Sequence, residues 1–236
     1  MIFNHPNLIC AFSSRLFKNM SFFYGDTKES LNNRKNFLAG LGINYRDLIC
    51  AKQVHSGRVR YAKEEDKGSG ALSYDNSIPD TDAFITDKKN LPLAVFTADC
   101  LSIFLYAPKA SVIGLIHAGW RSTKENITTK AVQLMKKEFD IHAEDLCAGF
   151  GPAIRECCYE VSAEFKDNFV YGLKQKSGRY YLALAGINKK ELLDLGVCEA
   201  NIFDSGICTS CRNSEFFSYR KEGRGSGRMM SVMMLR

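Results

Sequence analysis

Apolar residues cluster at the centre of the chain in short unbroken runs. Leu91 to Thr97, Leu101 to Tyr106 and Val112 to Ile116 each have the length of a strand and are bounded by turn-forming or polar residues, which reads as β structure. Ala107-Pro108-Lys109-Ala110-Ser111 makes a short turn between the last two. His117-Ala118-Gly119 closes the third run and leads into a helix, for which Ser122 and Glu125 form a Ser-x-x-Glu capping box. Ile127, Ala131, Leu134 and Met135 then supply an apolar stripe out to about Phe139. Further helices are expected from about Lys28 to Leu41, stopped by Gly40 and Gly42, from Asn188 with Glu191 three residues on, and from about Ser162 to Tyr171. Residues 62–77 are polar and hold Gly68 and Gly70, the pattern of an exposed loop or hairpin tip. No repeat or long linker interrupts the pattern. The expected architecture is one α/β (α+β) domain over residues 1–236, a mixed sheet with helices packed outside.

Composition adds bounds. A chain of 236 residues with 45% hydrophobic residues can bury a sizeable core. The net charge of +6 suits anionic ligands, but it is spread over many segments, and no nucleic-acid-binding motif accompanies it. No apolar run approaches the ~20 residues a membrane helix needs, and Met1 to Phe12 lacks the pattern of a secretory signal. Nine cysteines, an odd number at uneven spacing, indicate a reduced, cytoplasmic protein.

Only four histidines occur. His117 lies in Ile116-His117-Ala118-Gly119-Trp120-Arg121 beside the sole tryptophan, His55 in Lys52-Gln53-Val54-His55-Ser56-Gly57, and Cys100 between them in Thr97-Ala98-Asp99-Cys100. Two imidazoles and a thiolate are the ligand set of an open, catalytic zinc site. None of the three pairs has the short spacing of a knuckle or an HExxH helix, so the fold has to assemble them. The bland alternatives are a buried core thiol at Cys100 and a packing histidine at 117. His5 and His142 read as structural. Cys208-Thr209-Ser210-Cys211 is a lone CxxC and Cys157-Cys158 an adjacent pair; all four read as packing or loop residues. The segment Phe216 to Arg228, basic and glycine-rich, could bring backbone N–H groups and the guanidinium forks of Arg220 and Arg228 to a phosphate, or could be a flexible basic loop.

The order Gln53-Val54-His55, Thr81-Asp82-Ala83, Thr97-Ala98-Asp99-Cys100, His117-Ala118-Gly119-Trp120-Arg121, Gly151-Pro152-Ala153-Ile154, Cys157-Cys158-Tyr159-Glu160-Val161 and Phe217-Ser218-Tyr219-Arg220 resembles the YfiH family, also called the laccase-domain or multicopper polyphenol oxidase family. The resemblance runs from about Asn7 to Leu235. It implies a layered α/β domain topologically related to cysteine hydrolases of the cytotoxic necrotizing factor type. It also implies metal ligands at His55, Cys100 and His117, and an arginine associated with substrate or phosphate at Arg34. Its members are described as zinc-dependent purine nucleoside phosphorylases, acting on adenosine, inosine and methylthioadenosine, that also deaminate adenosine. Older descriptions make them copper-dependent polyphenol oxidases, and a cell-wall editing role is attached to bacterial members. The chain departs from the family pattern at Ser122, at Arg155-Glu156 and at Leu182-Ala183-Leu184, none of them at a ligand.

Four functions are in play. A zinc enzyme would take nucleoside and phosphate, with no nucleic acid or membrane partner and with a homo-oligomer left open. A copper oxidase could use the same three ligands, but four histidines without a His-x-His pair cannot furnish a multicopper cluster. A metal-free cysteine hydrolase editing peptidoglycan precursors would use Cys100 as nucleophile and a histidine as base. The fourth is a binding protein without catalysis. The first is the expected reading.

Overall fold

The computed structural model describes residues 5–236, so residues 1–4 of the opening segment Met1–Phe12 lie outside the described residues. Twelve strands follow in chain order: β1 (Leu8–Phe12), β2 (Val59–Tyr61), β3 (Ala83–Thr86), β4 (Leu93–Thr97), β5 (Leu101–Ala107), β6 (Val112–Ala118), β7 (Cys147–Phe150), β8 (Glu160–Val161), β9 (Leu173–Lys176), β10 (Arg179–Leu182), β11 (Ile202–Asp204) and β12 (Met229–Leu235). The helices are α1 (Thr27–Ala39), α2 (Trp120–Lys124), α3 (Ile127–Phe139), α4 (Leu184–Asp194) and α5 (Tyr219–Glu222). Among these described residues no helix is long and apolar enough to cross a membrane.

Six strands form a mixed sheet in the order β11-β7-β5-β6-β3-β2, and three form a second sheet, β1-β12-β4. Side-chain alternation stacks them. From β5 and β6, Ile103, Leu105 and Ile116 face α3, where they meet Ala131, Val132 and Met135; Phe104, Tyr106, Ile113 and Leu115 face the opposite way, onto Val95, Met233 and Leu235 of the second sheet. That sheet's other face carries Ile9, Ala94, Val232 and Met234 against Phe37 and Leu38 of α1. The result is four layers, helix–sheet–sheet–helix. The central strands are covered on both faces, which is why they read as continuous apolar runs rather than alternating ones. Each fully buried Leu, Ile or Phe there contributes about 1.5–3 kcal/mol of transfer free energy. A small sheet, β8-β10-β9, lies apart in the pairing.

Four expectations are corrected. Ser122 and Glu125 do not open the long helix. Ser122 Oγ accepts the backbone N–H of Gly119 at 2.8 Å, and the Glu125 carboxylate accepts that of Gly57 at 2.7 Å. Asn126 then turns left-handed (φ 56°), a conformation Asn tolerates, and separates α2 from α3. The helix expected over Ser162–Tyr171 is only a 3₁₀ turn, Ala163–Asp167, and the one expected from Asn188 begins at Leu184. Asn188 sits mid-helix and fully buried, donating to Thr123 Oγ1 and accepting from Thr128 Oγ1. Nor is 62–77 wholly an exposed tip. Asp66 is buried, accepting from Arg60 and from the N–H of Lys63, and the carbonyls of Gly70 and Ala71 close over Arg34. Its polar groups are satisfied inside the protein, so polarity did not mean exposure.

Candidate functional site

Strand pairing brings the first two candidates together. β5 and β6 run antiparallel with Leu101 opposite Ala118 and Ser102 opposite His117. Cys100, one residue before β5, therefore lies at the same sheet end as His117. Ala98-Asp99-Cys100 is also the corner at which the chain leaves the three-stranded sheet (β4) for the six-stranded one (β5). The corner is tight: Asp99 takes φ 88°. Its carboxylate is held by Thr209 Oγ1 (2.6 Å) and by the N–H of Arg220 (2.6 Å).

His55 comes from a loop, and Asp82 places it. The buried Asp82 carboxylate accepts the backbone N–H groups of Val54 (3.2 Å), His55 (3.0 Å) and Ser56 (2.7 Å). The same carboxylate lies 2.8 Å from His117 Nδ1, and the His117 N–H donates to the Asp82 carbonyl. Asp82 immediately precedes β3, which pairs with β6, so sheet register sets it beside His117. One side chain thus fixes both histidines. Burial raises the Asp82 carboxyl, but its bond to and attraction by His117, with the Ser56 bonds, hold it below the usual range. An ionised carboxylate only accepts, so Nδ1 of His117 carries hydrogen and Nε2 is left for a metal. Asp82 lies in the Thr81-Asp82-Ala83 motif, and its one sequence signal is an acidic residue at the start of an apolar β run.

The three ligand atoms lie within 4.8 Å of one another, with Cys100 Sγ 3.7 Å from His55 Nε2 and the two imidazoles edge to face at 4.7 Å. A zinc ion at its usual ~2.3 Å from sulfur and ~2.05 Å from nitrogen, in tetrahedral geometry, separates S and N by about 3.6 Å. The residues fit such an ion. Burial pushes the Cys100 thiol up, but the His117 and His55 imidazoles outweigh it and bring it down to about 6. Burial likewise lowers His117, while Cys100 and Asp82 lift it to about 9. Near neutral pH the pair is therefore a thiolate beside an imidazolium, and a soft divalent cation binding there displaces the His117 Nε2 proton. Gly119 leaves room for it: a Cβ there would lie 2.7 Å from His55 Cδ2 and 3.1 Å from Cys100 Sγ.

These residues floor a cavity of about 540 Å³, of the size that takes small-molecule ligands. Phe22, Phe96, Trp120, Tyr159 and Tyr219 offer aromatic surface around it, and Arg34, Arg121, Arg220 and Arg228 offer positive charge. Arg121, stacked 4.3 Å over Trp120, was not singled out from sequence. Arg34 is buried. Its Nε donates to the Met20 carbonyl and its Nη1 to those of Gly70 and Ala71, and the guanidinium stacks 3.5 Å from the Phe22 ring centre. Burial draws its pKa down. Those partners are carbonyls, ring faces and the Cys50 sulfur at 4.0 Å, a thiol that burial pushes up, rather than a carboxylate. Arg228 adjoins it, since Met20, whose carbonyl holds Arg34, donates its own N–H to the Arg228 carbonyl. The Arg228 guanidinium stacks 4.0 Å over Tyr24. Arg220 reaches the Glu160 carbonyl with Nη1 and lies 5.3 Å over Tyr159. The segment after Phe216 is an ordered wall, α5 and a 3₁₀ turn, rather than a flexible loop. The other histidines lie elsewhere: His5 packs edge-on against Tyr106, and His142 is exposed.

Known proteins resemble this chain over most of its length. The family described as multi-copper polyphenol oxidoreductase laccase matches residues 12–236. Purine nucleoside phosphorylase YlmD of Geobacillus stearothermophilus is 34% identical over 225 residues, covering 91% of this chain and 82% of that protein. Adenosine deaminase RL5, from an unknown prokaryotic organism, is 30% identical over 212 residues, covering 86% and 80%. The crystal structure of YlmD from Geobacillus stearothermophilus superposes with a TM-score of 0.93 at 30% identity, covering 98% of this chain and 93% of that one.

Proposed function

The chain belongs to the multi-copper polyphenol oxidoreductase laccase family, and from that premise we propose that it is a zinc-dependent purine nucleoside phosphorylase that also deaminates adenosine. The supporting observation is one carboxylate, Asp82, holding His55 and His117 against Cys100 at ion-compatible distances on the floor of a cavity lined by aromatic rings and arginines. Relatives named for both activities support the reading. His55, Cys100 and His117 would hold the zinc ion, which would supply Lewis acidity and a water activated near neutral pH.

In phosphorolysis a phosphate oxygen bonds to C1′ of the ribose, the C1′–N9 bond breaks with its electron pair leaving on the purine, and the purine takes up a proton. This chain's part is to hold the reactants. Arg34 presents a buried guanidinium without a counter-charge among its bonding partners, and Arg228 lies beside it; together they are the phosphate clamp, since a guanidinium fork matches a phosphate edge. Arg220, held over Tyr159, is a secondary anion contact. The aromatic rings stack the purine and exclude water, which strengthens each of these charge contacts. Asp82 keeps the imidazoles in one tautomer and orientation. In deamination, water replaces the C6 amino group and ammonia departs, so phosphate is not needed.

The test is release of free purine from inosine by purified protein with and without inorganic phosphate, before and after chelation. Phosphate-dependent, chelator-sensitive release of hypoxanthine with ribose 1-phosphate is expected; release indifferent to phosphate overturns the phosphorylase reading. The thiol–imidazole contact at 3.7 Å also favours a second reading, a Cys100 nucleophile with a histidine base. Amide or ester hydrolysis that survives complete metal removal would select it. The copper reading is weaker: the site gathers two histidines and one cysteine, and the other two histidines do not line the cavity.

A further inference from the structure

Away from that site, four cysteines read from sequence as loop and packing residues converge. Cys157 and Cys158 lie in the turn before β8, Cys208 and Cys211 in the turn after β11, and their sulfur atoms all fall within 4.8 Å of one another. Cys211 Sγ is 3.6 Å from that of Cys157 and 3.3 Å from that of Cys158. All four are free thiols. Four thiolates at ~2.3 Å around a tetrahedral ion have sulfurs about 3.8 Å apart, inside the spread found here. The cluster has its missing pair after all: the CxxC of 208–211 is completed by the adjacent cysteines some fifty residues earlier.

The surrounding backbone is built to hold it. Residues 153 and 208 bridge as parallel strand partners, with Ala153 N–H donating to the Ile207 carbonyl and Thr209 N–H to that of Ala153. Backbone N–H groups of Arg155 and Cys211 point at the Cys208 sulfur, the contact that orients a ligating thiolate. Cys208 is buried while Cys157 and Cys211 are exposed, so an ion has an entry path.

We infer that Cys157, Cys158, Cys208 and Cys211 form a second metal site, a closed four-thiolate centre for a zinc-class cation, separate from the His55–Cys100–His117 set. Binding releases the four S–H protons to the medium and leaves all four sulfurs as thiolate ligands. With four protein ligands it has no open position, so its role is structural. What it ties together is the cavity wall. One turn leads directly to Tyr159, the other carries Thr209, whose hydroxyl holds the Asp99 carboxylate beside Cys100, and Arg220 bonds across to the Glu160 carbonyl.

The test uses the full chain, purified anaerobically with a thiol reductant, loaded with zinc and dialysed. Two zinc per chain are expected in the wild type, one in His117→Ala, and one in Cys208→Ser/Cys211→Ser. Cobalt-loaded His117→Ala should show the intense sulfur-to-cobalt charge transfer of an all-thiolate tetrahedral ion, and zinc should protect four of its thiols from a thiol reagent. If the double serine variant does not fold, cobalt-loaded His117→Ala decides alone. A His117→Ala protein that takes up no metal, with the four thiols equally reactive whether or not zinc is offered, overturns the inference. So does mass spectrometry showing the four paired as disulfides in the anaerobic protein.

Discussion

Replacing Gly119 by alanine isolates the geometry of the three-ligand site from the stability of the fold. Gly119 has φ −86° and ψ 177°, which alanine adopts freely, so the backbone is not strained. It stands at the N-cap of α2, where Gly is preferred to Ala, costing a modest fraction of the ~1 kcal/mol that caps are worth. The new methyl carbon, however, would sit 2.7 Å from His55 Cδ2 and 3.1 Å from Cys100 Sγ. Carbon–carbon contacts rest at about 3.5–4.0 Å, so the His55 ring has to retreat by roughly 1 Å. Metal ligands tolerate about 0.2 Å, and a displacement of that size near the chemistry costs on the order of 100-fold in rate, or ~2.7 kcal/mol of transition-state stabilisation. The assay is metal content by elemental analysis, kcat/KM for inosine phosphorolysis and a thermal melt, all on one preparation. The expected result is about a 100-fold loss of kcat/KM and weakened zinc retention, with Tm lowered by only a few degrees. Full metal and full activity in Gly119→Ala would refute the assignment of His55 and Cys100 as partners in one centre.

Other outcomes follow from the same contacts. Asp82→Asn keeps the shape but removes the charge that fixes His117 Nδ1 and the 54–56 backbone; zinc affinity should fall about 10–100-fold in a chelator competition, and unchanged affinity would show that the histidines position themselves. Arg34→Ala should raise KM for phosphate far more than it slows deamination of adenosine; equal losses in both reactions would remove Arg34 from the phosphate clamp. Glu222, which ties Arg15 (2.8 Å), Asn213 and the Ser218 N–H together, is raised by burial but pulled net below its ordinary pKa by Arg15 and these bonds. A carboxylate with a depressed folded pKa stabilises above its unfolded value, about 4.3, and loses that contribution as pH falls through the folded value. Urea unfolding should therefore find Glu222→Gln less stable than wild type at neutral pH, with the gap closing below pH 4; a gap independent of pH would contradict the assignment.

Much of the central sheet was legible in the order of residues. β4, β5 and β6 show up as apolar runs because both faces of each are covered, and the sheet end is marked by His117-Ala118-Gly119. The chemistry of the first site was legible for a related reason: histidines are few, and a thiol and two imidazoles have a restricted set of uses. Local rules failed where a side chain answered to a distant partner. Glu125 resembled a capping residue but is spent on the Gly57 N–H, and Asn188 resembled a helix start but is the buried joint between α4 and the α2–α3 pair.

What tertiary structure alone decided is which separated residues meet. Sequence could nominate His55, Cys100 and His117. Only the β3–β6 register puts Asp82 under both histidines, and only the β5–β6 register brings Cys100 to the same edge. Arg34 sits on a helix whose pattern does not announce a buried guanidinium; its burial depends on carbonyls at Gly70 and Ala71, across a loop that composition marked as exposed. The four-cysteine cluster depends on the bridge between residues 153 and 208, beside the parallel pairing of β7 with β11. Periodicity reports which face of an element is buried, because burial acts on each side chain locally. Ligand sets and ion pairs depend on distances between residues far apart in the chain, and those exist only once the sheets have closed.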